Sequence, residues 1–211
     1  MVQSGITKME TLMQNKELIG ASPIDVFTHI VRINPQITKV NLWRYVYKPV
    51  QFQEPGQNPI WLTRDELFQG QRLKGLIDGL PEDAQIGVFS KVLLESGEFA
   101  HIPMMDFNQD KTEQGLRLVV ERLKKARVSR GWVLETGKSY HYYGSQLLTE
   151  LGWVDFMGTC LLTSVVHSRE NIEQVADPRY IGHSLRRGGC VLRITTQASK
   201  KFKPEVAAFI E

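Results

Sequence analysis

Residues 131–144 read Gly-Trp-Val-Leu-Glu-Thr-Gly-Lys-Ser-Tyr-His-Tyr-Tyr-Gly, and this stretch predicts the centre of the fold. Its apolar start and later alternation are typical of a β-strand that a Thr-Gly-Lys kink interrupts. Side chains alternate between the two faces of a strand, so Ser139, His141 and Tyr143 share one face. A hydroxyl, an imidazole and a phenol on one face indicate a functional site more than a hydrophobic core.

A second strand with polar residues at its end precedes this stretch. Residues 102–108 are apolar until Asp106 and Asn108, which alternation places on one face. Two oxygen ligands two residues apart on a strand can both reach one hard cation, such as Mg²⁺ or Mn²⁺. The alternative is a strand end that meets solvent, where Asp and Asn are common.

The rest of the chain predicts a mixed arrangement of helices and strands, of the α+β class. Capping residues and helical periodicity predict the helices, and alternation with β-branched and aromatic residues predicts the strands. The predicted helices are residues 9–19, 23–32, 63–79, 112–126 and 146–151, and the predicted strands are residues 40–47, 85–94, 98–108 and 190–196.

Two segments near the end of the chain are harder to assign. Residues 156–166 are nearly all apolar and uncharged, which predicts a buried strand, although a helix that begins near Asp155 is an alternative. Residues 177–189 are basic and punctuated by glycine, and we predict that they form the turn of a strand pair.

The overall composition excludes several classes of protein. The chain is 42% hydrophobic and 23% charged, as in ordinary soluble proteins. No apolar run approaches the ~20 residues of a membrane helix, and the N-terminus lacks a signal-peptide core, so we expect a cytoplasmic protein without membrane contact.

The net charge of +3 is compatible with a polyanionic partner but does not require one. Cys160 and Cys190 lack zinc-site spacing, which favours reduced, buried thiols.

The residues around the kink could bind a triphosphate. The glycine-rich backbone of residues 136–139, the Lys138 and Ser139 side chains and the His141 imidazole supply hydrogen-bond donors for phosphate. Thr-Gly-Lys-Ser is similar to the end of a Walker A motif, but the upstream glycine is missing and no helix is predicted to follow, so we reject that interpretation. The alternative for His141 is a core histidine.

A third group of candidate site residues lies in the basic segment. Asp177 is followed by Ser184, Arg186 and Arg187, a hydroxyl and two guanidiniums that suit phosphate recognition. The alternative is a basic surface hairpin. The order of parts along the chain, from a carboxylate strand to a hydroxyl–histidine strand to this segment, favours the phosphate site.

This ordered trio resembles the archaeo-eukaryotic primase superfamily, which includes primase small subunits, primase-polymerases and the polymerase domain of bacterial end-joining ligases. The family's apolar Asp-x-Asp motif is matched by residues 104–108, its small-x-His strand by residues 136–143, and its Asp before a Gly-Ser-Leu-basic turn by residues 177–187. The resemblance covers roughly residues 85–196.

The resemblance implies roles for the matched residues. Asp106, Asn108 and Asp177 would hold Mg²⁺ or Mn²⁺, with Asp106, Asp177 and His141 as the catalytic residues. The nucleotide-binding residues would be Lys138, Ser139, His141, Ser184, Arg186 and Arg187. The departure from the family is Asn108, where the second Asp is expected, because an amide removes one negative charge from a site that concentrates divalent cations.

The resemblance also implies an architecture of one domain. An N-terminal α/β unit over residues 1–84 would pack on an RRM-like antiparallel core over residues 85–196, followed by a tail over residues 197–211.

Three hypotheses about function follow. The first is a primase-type nucleotidyltransferase that uses nucleoside triphosphates and a DNA or RNA template or primer in replication or repair, with any helicase or nuclease encoded separately. The second keeps the fold as an accessory module that binds nucleotide or nucleic acid without catalysis. The third is an RNA-binding sheet, suggested by Trp132, Tyr140, Tyr142 and Tyr143, although two of these tyrosines face away from His141.

Overall fold

A computed structural model describes residues 18–46, 58–128, 130–196 and 202–211. The predicted helix at residues 9–19 therefore lies almost entirely outside the described residues. Within the described ranges the helices are α1 (Pro23–Ile33), α2 (Arg64–Gln69), α3 (Gln71–Asp78), α4 (Glu113–Lys125), α5 (Glu150–Leu161) and α6 (Pro178–Arg187). The strands are β1 (Ile37–Val46), β2 (Asn58–Thr63), β3 (Ala84–Leu94), β4 (Phe99–His101), β5 (Met104–Asp106), β6 (Gly131–Glu135), β7 (Tyr140–Gly144), β8 (Val165–Val166), β9 (Ile172–Glu173), β10 (Val191–Arg193) and β11 (Glu205–Ile210).

These elements confirm the α+β class. The helices predicted from their caps are present: Pro23 occupies the first turn of α1, and Thr112 caps α4 by accepting a hydrogen bond from the Gly115 N–H at 3.0 Å. The predicted helix over residues 63–79 is two helices. Gly70 has a φ of +71°, a left-handed conformation that glycine adopts without strain and that ends α2.

The first sheet contains β10, β3, β1 and β2 in that order, and β4 also pairs with β3. Strands β10 and β4 follow one another along the same edge of β3, because β10 pairs with residues 87–89 and β4 with residues 91–93. The predicted boundary between the N-terminal unit and the core, after residue 84, falls at the start of β3. Because β3 pairs with β1, strands from both sides of that boundary belong to one sheet.

The second sheet contains β11, β6, β7 and β5 in that order, with antiparallel pairing throughout. Strands β6 and β7 form a hairpin in which the Thr136 N–H donates to the Ser139 carbonyl at 2.8 Å. The predicted kink is therefore a reversal of the chain. The predicted strand over residues 98–108 is divided at Pro103 into β4 in the first sheet and β5 in the second, because proline lacks the N–H that a ladder requires.

The end of the chain contributes to this sheet. Residues 197–211 were expected to form a tail, but Glu205–Ile210 forms β11 and pairs with β6. The backbone N–H of Gly20 also donates to the Val206 carbonyl at 2.9 Å. Both ends of the described chain thus meet at one edge of the second sheet.

Residues 150–161 form one continuous helix, α5, so the predicted buried strand at 156–166 is wrong and the alternative of a helix is right, although it begins at Glu150. The predicted helix at 146–151 is displaced, because only its last two residues are helical. The Thr149 hydroxyl caps the helix by accepting from the Gly152 N–H at 3.2 Å. Its buried residues, Trp153, Phe156, Met157 and Cys160, recur at helical spacing, but apolar residues on the opposite side hide that period in the sequence.

Helices α4 and α5 lie against one face of the second sheet, whereas α1 contacts the other face, where the His29 ring lies 5.4 Å from the ring of Trp132, the register partner of Tyr143. The Tyr140 hydroxyl donates to the Thr112 carbonyl before α4 at 2.8 Å, and the rings of Tyr142 and Phe156 of α5 lie 6.3 Å apart. Because strand side chains alternate, His141 projects from the opposite face.

Candidate functional site

A histidine and an aspartate from neighbouring strands meet on this opposite face. Asp106 of β5 is the register partner of His141 of β7. The His141 Nε2 atom lies 3.6 Å from an Asp106 carboxylate oxygen, and the Asp106 side chain is 34% exposed while that of His141 is 7% exposed. The sheet therefore fixes the imidazole from behind and leaves the carboxylate accessible to a ligand.

The second aspartate lies on the other side of Asp106. An isolated bridge pairs Phe107 with Ala176, and it is flanked by two backbone hydrogen bonds. The Asn108 N–H donates to the Val175 carbonyl at 2.8 Å, and the Asp177 N–H donates to the Asp106 carbonyl at 3.0 Å. This register places Asp177 opposite Asp106, where Cβ atoms are about 4.5–5.5 Å apart. His141, Asp106 and Asp177 thus form a row across three chain segments, which we call the acidic row.

Asp177 has a structural task besides its place in the acidic row. Its carboxylate caps α6, because one oxygen accepts from the N–H groups of Arg179 at 2.8 Å and Tyr180 at 3.3 Å. Pro178 follows at the first helical position, and Gly188 with a φ of +71° ends the helix. The turn predicted over residues 177–189 is therefore a helix, and Asp-Pro is the start signal that predicts it.

The change from turn to helix moves the predicted phosphate contacts apart. Ser184 is fully buried, and its hydroxyl opposes the rise in the pKa of Cys190 that burial causes. The structure therefore places Ser184 in the core beside Cys190 and not at the site. The guanidinium of Arg187 lies over the Trp43 ring at 5.3 Å, and its Nε donates to the Gly189 carbonyl at 3.2 Å. Arg186 is exposed.

The hairpin turn is fastened to the end of β5. The Ser139 hydroxyl donates to the Phe107 carbonyl, and its oxygen accepts from the Gln109 N–H at 3.2 Å. The Lys138 carbonyl accepts from the Lys111 N–H at 3.1 Å, and the Lys138 side chain is exposed. Ser139 therefore holds the turn beside the acidic row, and Lys138 is presented to solvent next to it.

Asn108 also lies at this edge. It follows Asp106 by two residues along the same segment and is exposed. Its backbone N–H is engaged in the bond to Val175. The position keeps an oxygen ligand and lacks a charge.

Arg193 is a residue near the site that sequence analysis missed. It is buried, and its guanidinium donates to the carbonyls of Thr195 at 3.3 Å, Phe202 at 2.9 Å and Thr136 at 2.8 Å. Burial lowers the pKa of Arg193, while Tyr45, the Asp106 carboxylate and Tyr143 oppose that shift. Arg193 thus supports the hairpin turn from behind and adds positive charge near Asp106. The sequence contains one signal for this role, because Arg193 is a charged residue inside the predicted strand over residues 190–196.

Tyr143 lies on the same face as His141. Burial raises the pKa of its hydroxyl, with Tyr45 and Asp106 acting in the same direction and Arg193 opposing. The Tyr143 hydroxyl makes no hydrogen bond to any residue that the structure describes. A phenol kept neutral beside Asp106 leaves the negative charge of the site on the carboxylates.

No three His, Cys, Asp or Glu side chains in the described ranges come together as a metal-binding group. Within the same ranges, no helix combines the length and the hydrophobicity that a membrane span requires.

The fold and the site together define an α+β protein with a histidine and two aspartates aligned at the edge of an antiparallel sheet. A family model described as archaeo-eukaryotic primase 1D-like matches residues 65–205, which is more than half of the chain. The chain therefore belongs to this family of primase-like proteins. Comparison with curated proteins gives no match, and comparison with solved structures gives none either.

Proposed function

We propose that the chain is a metal-dependent nucleotidyltransferase of primase type, which acts on nucleoside triphosphates and a DNA or RNA template or end. The observation that carries this proposal is the acidic row, in which Asp106 is the register partner of His141 on one side and lies opposite Asp177 on the other, where the Asp177 N–H donates to the Asp106 carbonyl. Membership of the primase-like family supports the same chemistry.

Two carboxylates and an amide oxygen would suit one hard divalent cation. Mg²⁺ is usually bound by one or two carboxylates, with water and substrate phosphates completing its coordination. Asp106 and Asp177 would supply the carboxylates, and Asn108 an additional oxygen. When bound, the metal would neutralise charge on the transferred phosphoryl group. A second cation about 3.5–4 Å away would need more negative charge than Asn108 provides.

The remaining residues would bind and orient the triphosphate. The imidazole of His141, which belongs to the acidic row, and the side chain of Lys138, which follows in the neighbouring turn, would donate to phosphate oxygens. Ser139 would act mainly by holding the turn, since its hydroxyl is bonded to Phe107 and Gln109. Arg186, exposed in the last turn of α6, is the better placed of the two arginines to meet a phosphate.

Primer extension tests the proposal. We expect incorporation of nucleotides on a primed template with Mg²⁺ or Mn²⁺, and a loss of roughly 100-fold or more in Asp106→Ala. Asp110→Ala is the matched control, because Asp110 is an exposed carboxylate four residues further on. Equal rates for wild type and Asp106→Ala, with both proteins folded, would show that the acidic row is not catalytic.

A second candidate function follows from Asn108. With one carboxylate fewer than the family pattern, the same site would bind nucleotide or nucleic acid without transferring a nucleotide. Titration of a nucleoside triphosphate with and without chelator separates the two proposals. Binding that is unchanged by the chelator, together with no extension, favours the accessory module.

A further inference from the structure

Helix α5 is apolar on both of its sides. Trp153, Phe156, Met157 and Cys160 are buried against the core. On the opposite side, Leu151 is 83% exposed, Val154 47%, Leu161 43% and Leu162 83%. These four positions share one helical face. An apolar stripe on the solvent side of a helix is unusual, and none of the described residues covers this face.

The exposed surface continues beyond the helix. Val166 of β8 is 70% exposed and Ile172 of β9 is 50% exposed, and the two are register partners. Val166 follows Leu162 by four residues along the chain, directly after the turn that ends α5. Together the six aliphatic residues expose on the order of 600 Å², at the upper end for a monomer and close to the ~800 Å² per partner of a standard interface. We call these six residues the α5 surface.

We propose that the α5 surface binds a second copy of this chain in a two-fold symmetric dimer, with the two α5 helices antiparallel. In such an interface the same patch must complement itself. Gly158 lies at the centre of the face, with Val154 four residues before it and Leu162 four residues after it. An antiparallel pair crossing at Gly158 therefore brings Val154 of each copy against Leu162 of the other.

The centre of the face allows close approach. Gly158 is exposed, and a Cβ atom added there meets no heavy atom within 4 Å. Without a side chain at the crossing point, the two helices can approach to the short end of the usual 8–10 Å separation. The antiparallel arrangement also aligns the helix dipoles favourably.

The dimer leaves the acidic row open. The buried side of α5 contacts Tyr142 through Phe156, and Tyr142 lies on the sheet face opposite His141. The α5 surface points further away from the sheet on that same side. Dimer formation is therefore independent of the proposed nucleotidyl transfer, and its test does not depend on activity.

Light scattering of the full chain gives the oligomeric state. We expect a mass of twice 24.1 kDa for the wild type. The double variant Leu151→Glu and Leu162→Glu should be monomeric, with association weakened at least 100-fold, and should keep the circular dichroism spectrum of the wild type because both side chains are exposed. A monomeric wild type, or a dimer that survives both substitutions, overturns the proposal.

Cross-linking tests the antiparallel geometry. Gly158→Cys places a thiol at the proposed crossing point, and Gly75→Cys is the matched control, because Gly75 is also an exposed helical glycine with open space around it. The native Cys160 and Cys190 are buried, and burial raises the pKa of both thiols, so they should not react. A short bismaleimide should join two Gly158→Cys chains at least tenfold faster than two Gly75→Cys chains. Equal rates refute the crossing at Gly158.

Discussion

Restoring a carboxylate at position 108 is the sharpest test of the acidic row. Asn108 lies two residues after Asp106, and a strand rises about 3.3–3.4 Å per residue, so the two side chains are about 7 Å apart. Two carboxylates at that separation in water repel each other by roughly 0.6 kcal/mol. Without metal, Asn108→Asp should therefore lower the free energy of unfolding by that amount or less, because Asn108 is exposed.

With metal, the same substitution should be favourable. Unit charges 4 Å apart in water attract by about 1 kcal/mol, so a doubly charged cation gains about 2 kcal/mol from one added carboxylate. That corresponds to a roughly 30-fold lower Kd, at 1.4 kcal/mol for each factor of ten. The gain should appear for Mg²⁺ and for Mn²⁺, since both are hard enough to prefer carboxylate oxygen.

Isothermal titration of each metal into the apoprotein measures the effect. Asn171→Asp is the matched control, because Asn171 is an exposed asparagine in the turn between β8 and β9. The reasoning is refuted if Asn108→Asp binds metal within twofold of the wild type, or no better than Asn171→Asp. Combining Asn108→Asp with Asp106→Asn should abolish the gain, since one carboxylate is then exchanged for another.

Two further predictions concern groups with structural tasks. Asp177→Asn should keep the cap of α6 and the wild-type stability in urea while losing extension activity, whereas Asp177→Ala should also lose about 1 kcal/mol of stability; wild-type stability in both variants would show that the cap contributes nothing. Burial lowers the pKa of His101, so the unfolded chain takes up a proton below about pH 6.5 while the folded chain resists it. The free energy of unfolding should therefore fall as the pH falls below 6.5, by at most about 1.4 kcal/mol per pH unit. His101→Asn should flatten this dependence, leaving the contribution of His29, whose pKa is also lowered by burial and by Arg32; an unchanged slope contradicts the assignment.

The local signals in the sequence were sufficient for most elements. Caps such as Thr63 with Glu66 and the alternation in residues 40–47 depend on neighbours in the chain, and the structure confirms both. The separation of residues 98–108 into two strands was harder, although Pro103 marks the point. The two halves pair with β3 and β7, and partners so far along the chain are not visible in a local pattern.

Helix α5 shows how a local pattern can mislead. Periodicity separates a helix from a strand only when one side of the element is polar. In residues 150–162 the core side and the α5 surface are both apolar, so the expected period disappears. A surface that serves an interface would have this effect, because its hydrophobic residues are selected for a partner outside the folded chain.

The residues of the acidic row were predictable, but their setting was not. Asp106 and His141 stand on strands that the alternation identified, and the sheet makes them register partners. Asp177 was predicted before a turn, yet it begins a helix, which buries Ser184 and turns Arg187 toward Trp43. The position of a side chain after Asp177 depends on whether the backbone there has a period of two or of 3.6 residues.

The helix at Asp177 changes what the site favours. The N-terminus of α6 carries a partial positive charge, which attracts phosphate and disfavours a bare cation. The Asp177 carboxylate offsets this charge, but one of its oxygens already accepts from the N–H groups of Arg179 and Tyr180. A cation at the acidic row would gain its missing negative charge from the phosphates of a nucleotide. If the proposed function is right, the metal would therefore bind more tightly together with a triphosphate than alone, which would compensate in part for the charge that Asn108 does not supply.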